Sequence, residues 1–202
     1  MREHDKYFSA DQDPYRNPQT HTLKNIPDLQ TASQLKAFEE VIFQANFQEA
    51  TDNITSRKLI DLSGWMAVHH ICFSEVYEWA GQLRTIRIAK GNTVFSYPEN
   101  IEQEANKLFK KLNELLHSNQ LTSALAAEYF AEINILHPFR EGNGRTQRIL
   151  FTEVYRRIGY WVNYDLTDQE EMIKAMIAGY NGDYDPVKGL FERITKPIKS
   201  FD

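Results

Sequence analysis

A single cysteine, Cys72, stands among 202 residues, so no internal disulfide can form and no second thiolate can complete a zinc site. It falls in an apolar helical pattern, the setting of a buried, inert thiol. No apolar run approaches membrane-spanning length, so no membrane partner is expected. The polar opening, "MREHDKYFSADQDPY", lacks the hydrophobic stretch of a secretion signal. The expected compartment is a reducing cytoplasm, and delivery into a host cell by a specialised secretion system stays open. Nor does one sign of charge dominate: 23 Lys and Arg stand against 28 Asp and Glu, a net charge of -5. Without a basic field there is no footprint for a nucleic-acid backbone, so direct nucleic-acid binding is not expected. Internal repeats, low-complexity tracts and linkers long enough to separate domains are missing as well.

What is present is enough apolar material for a core. Hydrophobic residues make up 42% of the chain, which suits a single domain over residues 1–202. Residues 1–30, through Pro14, Pro18 and Pro27, read as an extended arm. Apolar residues at three- and four-residue steps predict helices over about 35–50, 61–79, 101–116, 123–136, 144–158, 167–180 and 186–194. Thr167 and Glu170 fit a capping box for the sixth of these. Gly81 and Gly159 are placed as stop signals. Between them the period changes. "RTIRIAKGNTVFSY" holds two β-rich runs around Lys90-Gly91-Asn92, which predicts a hairpin standing alone over about 85–98. The fold class is therefore all-α, a helical bundle carrying one small β-hairpin flap.

Reactive residue types concentrate in "HPFREGNGRTQR", residues 137–148, between two predicted helices. Gly142, Asn143 and Gly144 open a helix whose first N–H groups lack internal partners and whose dipole favours negative charge. Such a turn is a nest for phosphate, although Gly-Asn-Gly is also ordinary turn chemistry. Asn143 is placed either to cap the helix or to donate its amide to a phosphate oxygen. Arg145 and Arg148 share a helix face beside the nest. Cations oppose the dipole there, so an anion is expected to offset them; the plainer alternative is a pair of surface salt bridges. Glu141 beside phosphates makes sense as a Mg²⁺ ligand, with a salt bridge to Arg140 or Arg145 as its alternative. His137 ends the preceding helix and is placed to take a proton from a hydroxyl. The helix C-terminus favours imidazolium, so its pKa is not expected to be low. A lone histidine is more often structural. Here a base, a carboxylate, an anion nest and two cations fall within twelve residues. Phe139 reads as a core anchor for the loop.

This segment resembles the signature of the Fic family, H-x-F-x-[D/E]-G-N-G-R-x-x-R, at every defined position. "DPYRNPQTHTLKNI", "VHHICFSEVYEWAGQLR" and "YNGDYDPVKGLFERI" are similar to other parts of that family's domain, so the resemblance covers most of the chain. It implies the Fic helical bundle and a protein adenylyltransferase, moving AMP from ATP to a Tyr, Ser or Thr hydroxyl of a target protein. His137 would be the base and Glu141 the Mg²⁺ ligand. Gly142, Asn143 and Gly144 would bind the α- and β-phosphates, Arg145 the β-phosphate region and Arg148 the γ-phosphate. The flap residues Gly91, Asn92, Thr93, Val94 and Phe95 would clamp the target by strand addition, though Val94 and Phe95 also suit ordinary packing. His69 reads as structural.

Many Fic proteins carry an inhibitory helix with [S/T]-x-x-x-E-[G/N]. Only Glu99 and Glu141 precede Gly or Asn here, and the residues four positions upstream are Phe95 and His137. The resemblance thus implies a toxin-like member, with a small antitoxin supplying an inhibitory Glu to Arg148. The precedent for its target is DNA gyrase and topoisomerase IV. Competing readings are a Fic-related kinase, transfer of UMP or phosphocholine, a non-catalytic nucleotide-binding module and a helix-turn-helix. The intact Gly144 and Arg145 weigh against the kinase, His137 against the binding module, and the acidic balance against the last.

Overall fold

The structure, a computed structural model, describes residues 8–9 and 13–198. Helix α1, Ala32–Ser56, starts where the Thr31 hydroxyl accepts the Gln34 N–H at 3.3 Å. It outruns the predicted 35–50 because no Gly or Pro interrupts it. Helix α2, Leu62–Phe73, is capped by Asp61, whose carboxylate accepts the Gly64 N–H at 2.7 Å. It ends short of the predicted 79. Val76 and Tyr77 are buried in the turn that follows, so apolar residues continue where the helix does not.

Helices α3 (Ile101–His117), α4 (Ser123–Leu136) and α5 (Asn143–Arg157) fall close to their predicted ranges. So do α6, Gln169–Tyr180, and α7, Asp185–Ile194. The cap of α6 differs: Asp168, not Thr167, accepts the Glu171 N–H at 2.8 Å. A carboxylate is the stronger acceptor facing a helix dipole. Thr167 instead donates to the Glu171 carboxylate at 2.8 Å.

The hairpin is β2 (Ile88–Lys90) and β3 (Thr93–Val94), turning through Gly91 and Asn92. It does not stand alone. Strand β1, Phe8–Ser9, pairs antiparallel with β2, Phe8 opposite Ala89, to give the order β1-β2-β3. A second antiparallel pair joins β4 (Tyr160–Val162) to β5 (Thr195–Pro197), with Trp161 opposite Lys196. Two- and three-residue strands leave no readable period in a sequence. Of the predicted arm, residues 1–7 and 10–12 lie outside the described residues. Its later stretch turns back on itself through an Arg16–Leu23 bridge.

Helix α5 is the central post. It packs against α1, α2 and α4 and buries Ile149, Leu150, Phe151, Val154 and Tyr155. Tyr155 stacks on Phe191 of α7 at 5.1 Å. Each such side chain, removed from water, stabilises the bundle by about 1.5–3 kcal/mol. The N-terminus of α5 is thereby fixed from three sides, and the loop entering it carries 137–142. Among the described residues, no helix is long and apolar enough to cross a membrane.

Candidate active site

The loop between α4 and α5 is anchored first by Phe139, which is fully buried. Its ring meets Trp65 edge-on at 5.5 Å and stacks on His69 at 3.9 Å. Trp65 in turn donates its indole N–H to the Thr146 hydroxyl at 2.9 Å. Asn143 does not cap α5 with its side chain, and both ends of its amide hold the loop. Its Oδ1 accepts the Phe139 N–H at 2.9 Å, and its Nδ2 donates to the Phe139 carbonyl at 2.7 Å. Gly142 takes φ 81°, and a Cβ there would lie 2.5 Å from the Phe73 ring. Gly144 is exposed, and a Cβ there would meet nothing within 4 Å. The first turn of α5 is therefore rigid beneath and open at Gly144.

His137 terminates α4 in the left-handed region at φ 39°, ψ 62°. For a residue with a Cβ this costs about 1–2 kcal/mol. Arg84 holds it there: its backbone N–H donates to the Pro138 carbonyl at 2.8 Å and its Nε to the His137 carbonyl at 2.7 Å. The same guanidinium bonds the carbonyls of Leu136, Ile86 and Ser96, so one buried cation ties hairpin to loop. The imidazole Nδ1 lies 2.6 Å from the Asn134 carbonyl. A carbonyl only accepts, so Nδ1 carries the proton and Nε2 the lone pair. Phe95 covers the ring, stacked at 3.6 Å. Burial pushes the His137 pKa down to about 3 and outweighs the Asn134 bond. The sequence expectation of a pKa kept up by the helix terminus is thus corrected: desolvation exceeds the dipole here.

The flap residues divide. Gly91, Asn92 and Val94 are exposed, and Thr93 is half-buried. Phe95 faces inward against Ile88 and His137.

The two motif arginines also divide. The Arg145 Nη2 lies 2.5 Å from Glu39 of α1 and 3.7 Å from Glu141. Burial opposes its charge, yet the two carboxylates outweigh this and raise its pKa. Arg148 has no carboxylate partner among the described residues. Its guanidinium lies 5.9 Å from the Tyr164 ring centroid, and burial lowers its pKa. Glu141 accepts the Gly142 N–H at 2.9 Å and its side chain is 15% exposed. Among the described residues no three His, Cys, Asp or Glu gather into a metal cage. One part-exposed carboxylate beside the glycine turn is a donor of the kind Mg²⁺ takes, since that ion uses one or two protein carboxylates and completes its shell with phosphate oxygens and water. Arg140 is not at this site: it is fully buried and pairs with Asp13 of the arm at 2.7 Å.

Comparison with known proteins decides the family. The Fic/DOC family model matches residues 59–155. The chain is 37% identical to the probable protein adenylyltransferase y4lH of Sinorhizobium fredii, over 93% of this chain and 98% of that one. The chain belongs to the Fic/DOC family. It is also 32% identical to the protein adenylyltransferase VbhT of Bartonella schoenbuchensis, over 92% of this chain, and spans 40% of that protein's length. In structure it is similar to the ADP-bound N-terminal Fic domain of a Bartonella quintana putative cell filamentation protein. There the TM-score is 0.79 and the identity 27%, over 93% of this chain and 96% of that one.

Beyond the motif, this Fic domain uses residues that sequence reading missed. Glu39 is one of two adjacent glutamates in the first helical pattern, and Arg84 closes "WAGQLR"; nothing in either stretch marks a role. His69 does read as structural, and its bonds show how. Its Nδ1 accepts the Gly81 N–H at 2.9 Å, so its Nε2 donates to the Glu141 carbonyl, also 2.9 Å away.

Proposed function

We propose that this Fic domain, with residues 1–202 acting as one unit, transfers AMP from Mg-ATP to a Tyr, Ser or Thr hydroxyl of a target protein. The observation that carries the reading is a pair. A buried neutral imidazole has its lone pair fixed on Nε2, and a partly buried cation, Arg148, sits on the facing helix with no carboxylate partner among the described residues. A neutral histidine can accept a proton, and an unpaired cation suits a phosphate. That its relatives y4lH and VbhT are named protein adenylyltransferases supports the same reaction, and the ADP-bound neighbour supports an adenine nucleotide.

The triphosphate lies against the Gly142-Asn143-Gly144 turn, where the backbone N–H groups of Asn143 and Gly144 meet its oxygens and Gly142, its own N–H held by Glu141, supplies the bend. Arg148 takes the γ-phosphate and Arg145 the β-phosphate region. Glu141 holds Mg²⁺, which when bound neutralises charge on the phosphate oxygens. The target hydroxyl gives its proton to His137 Nε2 while its oxygen attacks the α-phosphorus. The bond from that phosphorus to the bridging oxygen breaks, pyrophosphate leaves and AMP remains as an ester on the target. The target main chain adds to the β3 edge, across Gly91 to Phe95, with Val94 turned outward.

The accompanying regulation is toxin-like. No [S/T]-x-x-x-E-[G/N] occurs in these 202 residues. A small antitoxin would supply the Glu that caps Arg148, and a type II topoisomerase would be the cytoplasmic target. ATP labelled separately at the α- and γ-phosphates, incubated with the protein and a bacterial lysate, tests the reaction. Label from the α position on a protein band supports it, and label from the γ position alone would make the protein a kinase.

A further inference from the structure

Glu39 carries a charge into a nearly closed place, where its side chain is 9% exposed. A buried carboxylate is tolerated when its oxygens are partnered. Here Oε1 accepts the Tyr77 hydroxyl and Oε2 faces the Arg145 Nη2 at 2.5 Å. Tyr77 is itself immobilised by stacking on Trp79 at 4.2 Å. The Arg145 guanidinium rests 4.7 Å from the Phe73 ring centroid and 5.7 Å from that of Phe43, on the side of α1 and α2.

Among the described residues, the other acid within reach of Arg145 is Glu141, at 3.7 Å. Glu141 stands just ahead of Gly142, the N-cap of α5, and an arginine fork readily takes both oxygens of a carboxylate. Coulomb attraction falls as the inverse of distance, so at equal dielectric Glu39 holds Arg145 about 1.5 times as strongly as Glu141 does. We infer that Glu39 is a positioning residue: it draws Arg145 toward α1 and stops it from closing on Glu141, so that Glu141 remains a ligand for the divalent cation. The inference rests on the adenylyltransferase reading and names the residue that protects its metal ligand. Without the charge of Glu39, Arg145 moves onto Glu141, and a carboxylate neutralised by a guanidinium is a poor cation ligand.

The test is Mn²⁺ affinity, read by electron paramagnetic resonance with a non-hydrolysable ATP analogue present, so that no turnover is needed. Glu39→Gln is expected to weaken Mn²⁺ binding by about 10-fold or more, the usual scale for residues that orient a metal ligand. Affinity for the analogue without metal should change much less. Tyr77→Phe keeps the stack, loosens Glu39 and should shift Mn²⁺ affinity in the same direction by less. In an Arg145→Ala background, Glu39→Gln should have no further effect, because the guanidinium that would move onto Glu141 is gone. A Glu39→Gln effect that persists in that background would make Glu39 merely structural and overturn the inference. So would unchanged Mn²⁺ affinity in both single variants. Failure of the folded wild-type protein to bind the Mn²⁺–analogue complex would instead remove the adenylyltransferase reading, and the inference with it.

Discussion

Acidification should destabilise this protein through two histidines that fold neutral. His69 and His137 are both buried, and burial lowers each pKa from 6.5 to about 3. The folded state therefore binds fewer protons than the unfolded chain. The stability tied to each histidine is complete above pH 6.5 and is lost as pH falls from there toward 3. Each costs about 1.4 kcal/mol per pH unit in that window, so at about pH 5 each has forfeited about 2 kcal/mol. Urea denaturation of the wild type and of His137→Ala, at about pH 7.5 and about pH 5, isolates one of the two. At the higher pH the variant should be the weaker, having lost the bond to Asn134 and the stack on Phe95. At the lower pH the gap should shrink by about 2 kcal/mol, because only the wild type must give up its neutral imidazole. A gap that stays the same at both pH values would refute a buried neutral His137, and with it the basis for a resident base.

Other outcomes follow from the same geometry. Arg148→Ala should weaken nucleotide binding by about 10-fold or more, the scale of a lost charge-assisted hydrogen bond, as read by calorimetry. Gly142→Ala places a Cβ 2.5 Å from the Phe73 ring at a positive φ. It should lower unfolding free energy by about 2 kcal/mol or more, whereas Gly144→Ala should stay within about 0.5 kcal/mol. Arg84→Ala leaves several carbonyls without their donor and should cost about 3 kcal/mol or more in the same denaturation assay. The pH profile of kcat should show no ionisation near 6.5 from His137, whose pKa lies at about 3.

The helices were legible because burial on one face imposes a 3.6-residue period, and α3, α4 and α5 obey it to within a residue or two. The motif was legible because its residues are contiguous: histidine, carboxylate, glycines and arginines share one loop and the first turns of one helix. What escaped notice acts over distance. Glu39 meets Arg145 across 106 residues, and nothing in "AFEEVIF" marks one of two adjacent glutamates as buried. Arg84 works through backbone carbonyls, which leave no trace in side-chain pattern. Strand β1 is two residues long and takes its pairing from β2 alone. The low pKa of His137 is not legible either: the helix terminus that would raise it is local, while the Phe95 ring that removes water comes from the hairpin.

The most direct measurement compares transfer of α-labelled AMP to protein by the wild type and by His137→Ala, with Mg-ATP held above KM for both. The expected result is a rate lower by about 10²–10⁴-fold in the variant, with nucleotide affinity nearly kept. Equal rates would contradict His137 as the base.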